Sequence, residues 1–432
     1  MRLRLAVLIA AVTALAAVVA PGVATAAPRH NHGLTINATP NPIITGDGVL
    51  IYGQLNGANP GGQTIVLYHR INPAPHFVVI GTTKTNADGF YEFTRAEGVV
   101  VTNRSWFVRA PSLAGNVHSR TLHERVAAAL TIAASISSGD TGHPIPFTGH
   151  VDPVAVHVGE RVYLQELNPV TGNWQTVKSG LIGAGSNYSI SYRFRTPGAY
   201  ELRTLFKGDD RNIAAASDSV TVAVQQAQNP GFTINTSAPI INDGSSATIS
   251  GTLHLPLTTT ADPGVSVTLW AREVGTARAF PVSSTITGQD GSYSFTVSPQ
   301  HNTNYFVQTT FRPPAYRRTA VLLEGVRDVV SLQASSASTP VGQRITLSGS
   351  VVPDKAGHLI ELQRLGKDGA YHTVAVAVIN RSSAYRFTWR FGNTGTFAFR
   401  TRVPADEQNV SGSSTPVVIA VTLVPVSSLP NS

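Results

Sequence analysis

Apolar and polar residues alternate through much of this 432-residue chain, the period-two pattern of extended strands with one face in a core. Near the C-terminus Tyr385, Phe387, Trp389 and Phe391 fall on one side, and Arg386, Thr388 and Arg390 on the other. An earlier stretch places Tyr188, Ile190, Tyr192 and Phe194 inward and Arg193 and Arg195 outward. Turn chemistry separates such stretches at short intervals. Asn86-Ala87-Asp88-Gly89 and Gln289-Asp290-Gly291 supply the positive φ of a tight hairpin, while Ser186-Asn187 and Ser383-Ala384 hold the matching places elsewhere. The pattern predicts antiparallel β-sandwiches and no helix of consequence in the mature chain.

One module recurs four times: a strand ending in Gly, a Gly-x-x-apolar-x-Leu strand, a Trp, Phe or Tyr, then Gly-x-Tyr-x-Phe or a near relative. Its strand-ending glycines are Gly53, Gly149, Gly251 and Gly349, at spacings of 96, 102 and 98 residues. A longer period lies over this one. Gly-Leu-Thr-Ile-Asn at 33–37 returns as Gly-Phe-Thr-Ile-Asn at 231–235, so repeat three copies repeat one and repeat four copies repeat two. The expected domains are 27–127, 128–228, 229–327 and 328–426, with a short tail at 427–432. Residues 225–231 read as a linker with a flex point near Pro230, and the other junctions as close abutments. Set end to end, four such sandwiches would form a rod of about 150 Å.

Residues 1–26 are expected to be removed. Arg2 and Arg4 precede an apolar run over 5–20, and Ala24-Thr25-Ala26 has the small-x-small form of a signal-peptidase site. The run is short for a membrane span, and no second one follows, so the mature chain is expected outside the cell, released or held non-covalently at the surface. The absence of cysteine excludes disulfides, thiolate metal sites and lipid attachment through Cys. The net charge of +8 includes Arg2 and Arg4 and is otherwise spread along the chain, which argues against nucleic acid as a partner. Charged residues are 13% of the total, about half the usual share, and a monomer is expected.

Residues 343–351, Gly357-His358-Leu359-Ile360-Glu361-Leu362, Tyr371-His372-Thr373-Val374 and Ser411-Gly412-Ser413-Ser414 resemble the bacterial Ig-like repeats of secreted and cell-surface proteins. Repeats one and three, with Thr-x-x-Asp-Gly-x-Tyr-x-Phe, are also similar to the transthyretin-like regulatory domain attached to carboxypeptidases. The resemblance implies an all-β chain of four tandem Ig-like β-sandwich domains that space, adhere or present rather than catalyse. The aromatics opening the next strand of each repeat (Trp106, Tyr200, Tyr305 and Phe397) resemble a tyrosine corner.

No nucleophile elbow, His-Glu-x-x-His or phosphate-binding loop is present, so no catalytic residue, cofactor or metal is expected. Asp209-Asp210, and Asp406-Glu407 in the corresponding loop of repeat four, read as solvated architectural turns. His30 and His32 sit on the N-terminal arm and could chelate metal only with a suitable cleavage site. Trp106, Trp174 and Trp270 occupy places where burial is the default. Arginines on strand faces are the candidate binding residues: Arg386 with Arg390, Arg400 with Arg402, and Arg193 with Arg195. They read either as a solvated face or as a cationic surface whose guanidinium groups pair with anionic cell-wall polymer. The expected function is secreted, non-enzymatic binding, adhesion or spacing at the bacterial envelope. Its partners would be such a polymer, a polysaccharide or another surface protein. A carbohydrate-binding accessory role and a hydrolase with a loop-built site at a domain junction are the alternatives.

Overall fold

The computed structural model describes residues 33–57, 59–94, 100–113, 117–310, 317–367 and 369–423; the expected signal segment, His30, His32 and the tail 427–432 lie outside them. Buried apolar side chains collect into four clusters drawn from residues 34–126, 128–224, 232–326 and 330–421, one from each repeat. Fully burying a Leu, Ile, Val or Phe side chain contributes about 1.5–3 kcal/mol, and each cluster holds fifteen or sixteen buried residues. Stability without disulfides follows from this packing.

Sandwich four illustrates the topology. In one sheet Arg344–Val352 lies between the short strands Val329–Val330 and Gln333–Ala334 on one side and Ala384–Arg390 on the other. In the facing sheet Ser338–Pro340 runs parallel to Val417–Thr422, followed by Gly395–Val403, Leu359–Leu365 and Tyr371–Val378. The chain thus crosses between sheets within its first ten residues, as Ig-like sandwiches do. Each repeat pairs its strands in this order, and each carries a register shift after the same Leu: Leu67, Leu164, Leu269 and Leu362.

The four signature glycines do not end strands. Each lies within one, directly opposite the Tyr of its own repeat: Gly53 with Tyr91, Gly149 with Tyr188, Gly251 with Tyr293, Gly349 with Tyr385. Those phenols donate to the backbone carbonyls of Thr35, Thr131, Thr233 and Ser331, crossing the face of the glycine. A Cβ at any of the four would overlap both the ring and that carbonyl. Burial pushes all four phenols above their ordinary value, so they remain protonated donors. The repeated phenol contact therefore belongs to the Gly-x-Tyr tyrosines. Trp106, Tyr200, Tyr305 and Phe397 share only a packing role.

The junctions between sandwiches one and two and between three and four are built alike. Asn212 Nδ2 donates to the carbonyls of Val101 and Val126 at 2.9 and 3.3 Å, and Asn409 Nδ2 to those of Gln300 and Val326 at 3.0 and 3.3 Å. In return Asn103 and Asn302 take the Arg211 and Gln408 carbonyls on their backbone N–H groups, both at 2.6 Å. The Asp209 and Asp406 loops, read from sequence as solvated turns, dock on the preceding sandwich in this way.

The end-to-end row is overturned. Sandwich four lies against the other three, with contacts to sandwich one through the Arg364–Asp47 ion pair and to sandwich two through a buried polar face described below. The flex point near Pro230 is overturned as well. Gln225 is buried and clasps Leu323 through both its amide nitrogen and oxygen, Gln226 accepts from Val321, and Gln228 accepts from Ile234. Residues whose composition suggested a loose linker are consumed as hydrogen-bond partners.

Candidate functional site

The predicted arginines separate into buried and exposed sets. Arg400 and Arg402 alternate along Gly395–Val403, but the face they share is covered by sandwich two. Arg402, 5% exposed, pairs with Glu201, with Glu361 at 3.1 Å and with Asp218 at 3.8 Å. Arg400 pairs with Asp218, takes Gln363 Oε1 at 2.8 Å and lies 4.1 Å over the Tyr371 ring. Sandwich two answers with the same unit, Arg203 bonded to Gln165 at 3.0 Å and placed 4.2 Å over Trp174. Three guanidinium groups (Arg203, Arg400, Arg402) thus meet three carboxylates (Glu201, Asp218, Glu361), and burial pulls all three arginines below their ordinary value without neutralising them. Burial also pushes the Glu361 carboxyl up to about 7. The network joins the two sandwiches, so Arg400 and Arg402 are not available as an exposed cationic face.

Arg386 and Arg390 are exposed on Ala384–Arg390, where Arg390 stands opposite the equally exposed Arg344. Arg193 and Arg195 are exposed at the end of the corresponding strand of sandwich two, and there they line a groove. The groove, about 880 Å³, is walled by Arg193, Arg195, Lys178, Tyr192, Tyr200 and Glu166. Its floor is an aromatic row: Tyr192 meets Phe194 edge-on at 4.9 Å, and Phe194 meets Tyr200 at 4.4 Å. Both tyrosines are half-buried, so each offers part of a ring to solvent. Burial pushes the Glu166 carboxyl up, which weakens the one acidic group in this wall. Sequence reasoning found the two arginines but missed Lys178, Glu166 and the tyrosine pair. The outward Arg next to inward aromatics at a strand end was the available signal.

A smaller pocket of about 250 Å³ lies where sandwiches two, three and four meet, and Glu166, Glu201, Asp406 and Glu407 contribute to its lining. Glu201 is held by Arg402 and by the Ala405 N–H at 2.7 Å, and Asp406 by Lys355 and two amides of its own loop. Of the tryptophans, Trp106 is fully buried, whereas Trp174 and Trp270 are half-buried against Arg203 and Phe306. Among the described residues no helix is long and apolar enough to cross a membrane.

The strand order and register define the chain as all-β, built of tandem Ig-like β-sandwiches. No family model matches the sequence, and no curated protein matches it. Among solved structures the chain is similar to native Escherichia coli alpha-2-macroglobulin, at 11% identity and a TM-score of 0.23, covering 92% of this chain and 34% of that one. The trypsin-activated form of the E. coli protein matches at 13% identity and 0.25, covering 91% and 31%. Invasin, a bacterial integrin-binding protein, matches at 12% identity and 0.23, covering 90% and 79%. The chain spans about a third of the length of the macroglobulins it matches.

Proposed function

We propose that this is a secreted, non-enzymatic binding protein of the bacterial envelope or its surroundings, and that the groove on sandwich two is its binding site. The observation that carries this reading is the union of three cations, Lys178, Arg193 and Arg195, with the ring edges of Tyr192 and Tyr200 around one opening. Guanidinium groups pair with carboxylate or phosphate, and half-exposed tyrosines stack on sugar rings, so an anionic polysaccharide or wall polymer fits this chemistry. The side-by-side packing of the sandwiches shortens the chain's reach, which favours binding over spacing.

The test is a pull-down of the mature protein with isolated cell walls, purified polysaccharides and host matrix across a salt series. Binding is expected to fade with salt, because exposed charge contacts are screened over about 8–10 Å at 0.1–0.15 M. At about 0.5 kcal/mol for each exposed contact, R193A/R195A should weaken it about fivefold. Salt-insensitive binding that responds only to Tyr192→Ala and Tyr200→Ala would move the ligand class to neutral glycan. Unchanged binding in both sets would reject the groove, and binding to nothing would leave the spacer reading.

The carboxylate-lined pocket at the meeting of three sandwiches supports the hydrolase as a second reading. Turnover of a peptide or glycan that is abolished by Glu166→Gln would establish it in place of the first.

A further inference from the structure

His157 is fully buried in sandwich two, packed on Phe206 at 4.5 Å between ring centres. Its Nε2 lies 3.2 Å from Asn212 Oδ1. Because Asn212 Nδ2 is committed to the Val101 and Val126 carbonyls, Oδ1 can only accept, and the Nε2 proton is thereby fixed. The lone pair of Nδ1 then has no hydrogen-bond donor, yet it faces two carboxylates, Asp209 Oδ2 at 3.4 Å and Glu160 Oε1 at 3.6 Å. Three electron-rich atoms pointing at one another require a positive centre between them.

Sandwich four shows what that place accommodates. His157 stands two residues before Gly159, and Lys355 two before Gly357; Glu160 and His358 bond back to them through equivalent backbone contacts of 3.1 and 3.0 Å. Lys355 puts its ammonium 3.2 Å from Asn409 Oδ1 and against Asp406, the counterpart of Asp209. Asp328, also buried, adds a carboxylate 3.5 Å from Lys355, and Ala128 takes its place in the first copy. Loss of the lysine and loss of one carboxylate go together. The first copy keeps Asp209, carries Glu160 where the second has His358, and replaces the ammonium by a nitrogen ligand.

We propose that His157, Glu160 and Asp209 bind a divalent cation, best matched by zinc, at the junction of sandwiches one and two. A tetrahedral ion with bonds of about 2.0–2.1 Å holds its ligand atoms about 3.3–3.4 Å apart, close to the separations of 3.4 and 3.6 Å here and wider than those of charge-assisted hydrogen bonds. The donor set of one imidazole and two carboxylates suits zinc, and the Nε2–H to Asn212 contact is the outer-shell support that orients a metal-bound histidine. Asp209 is positioned by the Arg211 and Asn212 amides on Oδ1, both at 2.8 Å, which leaves Oδ2 for the ion. Glu160, partly exposed, gives the ion access from solvent and room for a water as fourth ligand. Asp209, expected from sequence to sit in a solvated turn with no metal, becomes a ligand in this reading. The ion would tie the loop that docks on sandwich one.

The test uses untagged mature protein, stripped with chelator and titrated with zinc chloride by calorimetry and equilibrium dialysis, with melting followed in parallel. Wild type is expected to hold one zinc ion that His157→Gln and His157→Lys do not, and zinc should raise the melting temperature of wild type only. His157→Lys borrows the side chain of sandwich four, and its circular dichroism serves as the fold control if His157→Gln does not fold. Glu160→Gln should weaken the site at least tenfold. Zinc binding of equal stoichiometry in wild type and His157→Lys would overturn the proposal, as would no zinc bound by wild type. Nitrogen-15 shifts showing a proton on both ring nitrogens of His157 in the presence of zinc would also overturn it, since a proton would then supply the charge.

Discussion

Asn212 and Asn409 bracket the two sandwich junctions through the same backbone carbonyls, but the first hands its side-chain oxygen to an imidazole and the second to an ammonium. The backbone scaffold of a duplicated unit has been kept while its buried charge was rewritten. In the second copy Lys355 closes the site against Asp328 and Asp406 within the chain itself. In the first, Ala128 stands in place of Asp328 and Glu160 in place of His358, and His157 faces Asp209 and Glu160 without a donor. Geometry at such a junction is set by amide contacts that tolerate either solution, and ligand chemistry by three side chains that do not.

Removing the cation from the closed copy should have the largest effect. Lys355→Ala leaves Asp328 and Asp406 without their counter-charge, and breaking a buried pair in this way costs about 3–5 kcal/mol. His157→Ala in chelator should cost less, because no buried anion there depends on it for charge balance as Asp328 does. Urea unfolding monitored at both junctions checks the order. Equal losses would mean that the two copies do not differ in the way described.

A second difference between the copies lies in sandwiches one and three. Glu124 and Glu324 are equivalent and buried, but Glu324 takes the Thr236 hydroxyl at 2.6 Å, where the first copy has Ala38. Burial pushes Glu124 up to about 9 and Glu324 up to about 7. Each carboxyl therefore holds its proton in the folded chain after the unfolded chain has released it near 4.5, so stability falls as pH rises, up to about 9 for Glu124 and about 7 for Glu324. Glu124→Gln should raise stability at pH 8 by on the order of 3 kcal/mol, with a smaller gain for Glu324→Gln. Ala38→Thr should move the first copy toward the second. Thermal denaturation between pH 5 and 9 reads all three, and pH-independent variants that melt with wild type would refute the assignment.

The smallest effect should be the one common to all repeats. Tyr91→Phe, Tyr188→Phe, Tyr293→Phe and Tyr385→Phe each remove one phenol donor from a part-buried hydrogen bond to a backbone carbonyl, at about 1 kcal/mol. Tyr188 and Tyr385 also bond Thr204 and Thr401, at 2.8 and 2.5 Å, so the even repeats should lose slightly more. Equilibrium unfolding of the four single variants checks both the shared size and the odd-even difference.

Period-two alternation and the recurrence of one Gly and one Tyr in each repeat were legible because they arise from contacts within a single sandwich; that each Gly lies opposite its Tyr was not. The domain packing was not. Arg400 and Arg402 alternate as Arg386 and Arg390 do, and alternation cannot distinguish water from the polar face of another sandwich. Gln225 and Gln226 are polar residues in a polar stretch, and nothing in their spacing announces that Leu323 and Val321 need partners. His157 carries no signal of its own in the sequence. Aligning repeat two with repeat four at Gly159 and Gly357 sets it against Lys355, and setting Ala128 against Asp328 then shows the paired change. The tyrosine groove stayed hidden because inward aromatics read as core, although the strand end leaves Tyr192 and Tyr200 half open.

Small-angle X-ray scattering of residues 27–432 tests the central claim, that two copies of a two-sandwich unit pack side by side through the Arg203–Arg400–Arg402 face. A compact chain of this length has a radius of gyration of about 22 Å, and side-by-side packing should give a value somewhat above this. An end-to-end rod of about 150 Å would instead give about 43 Å. A measured value near 25 Å at 0.15 M salt, rising when Arg402→Glu places a fourth carboxylate in the network, agrees with the packing described; a value near 40 Å for wild type contradicts it.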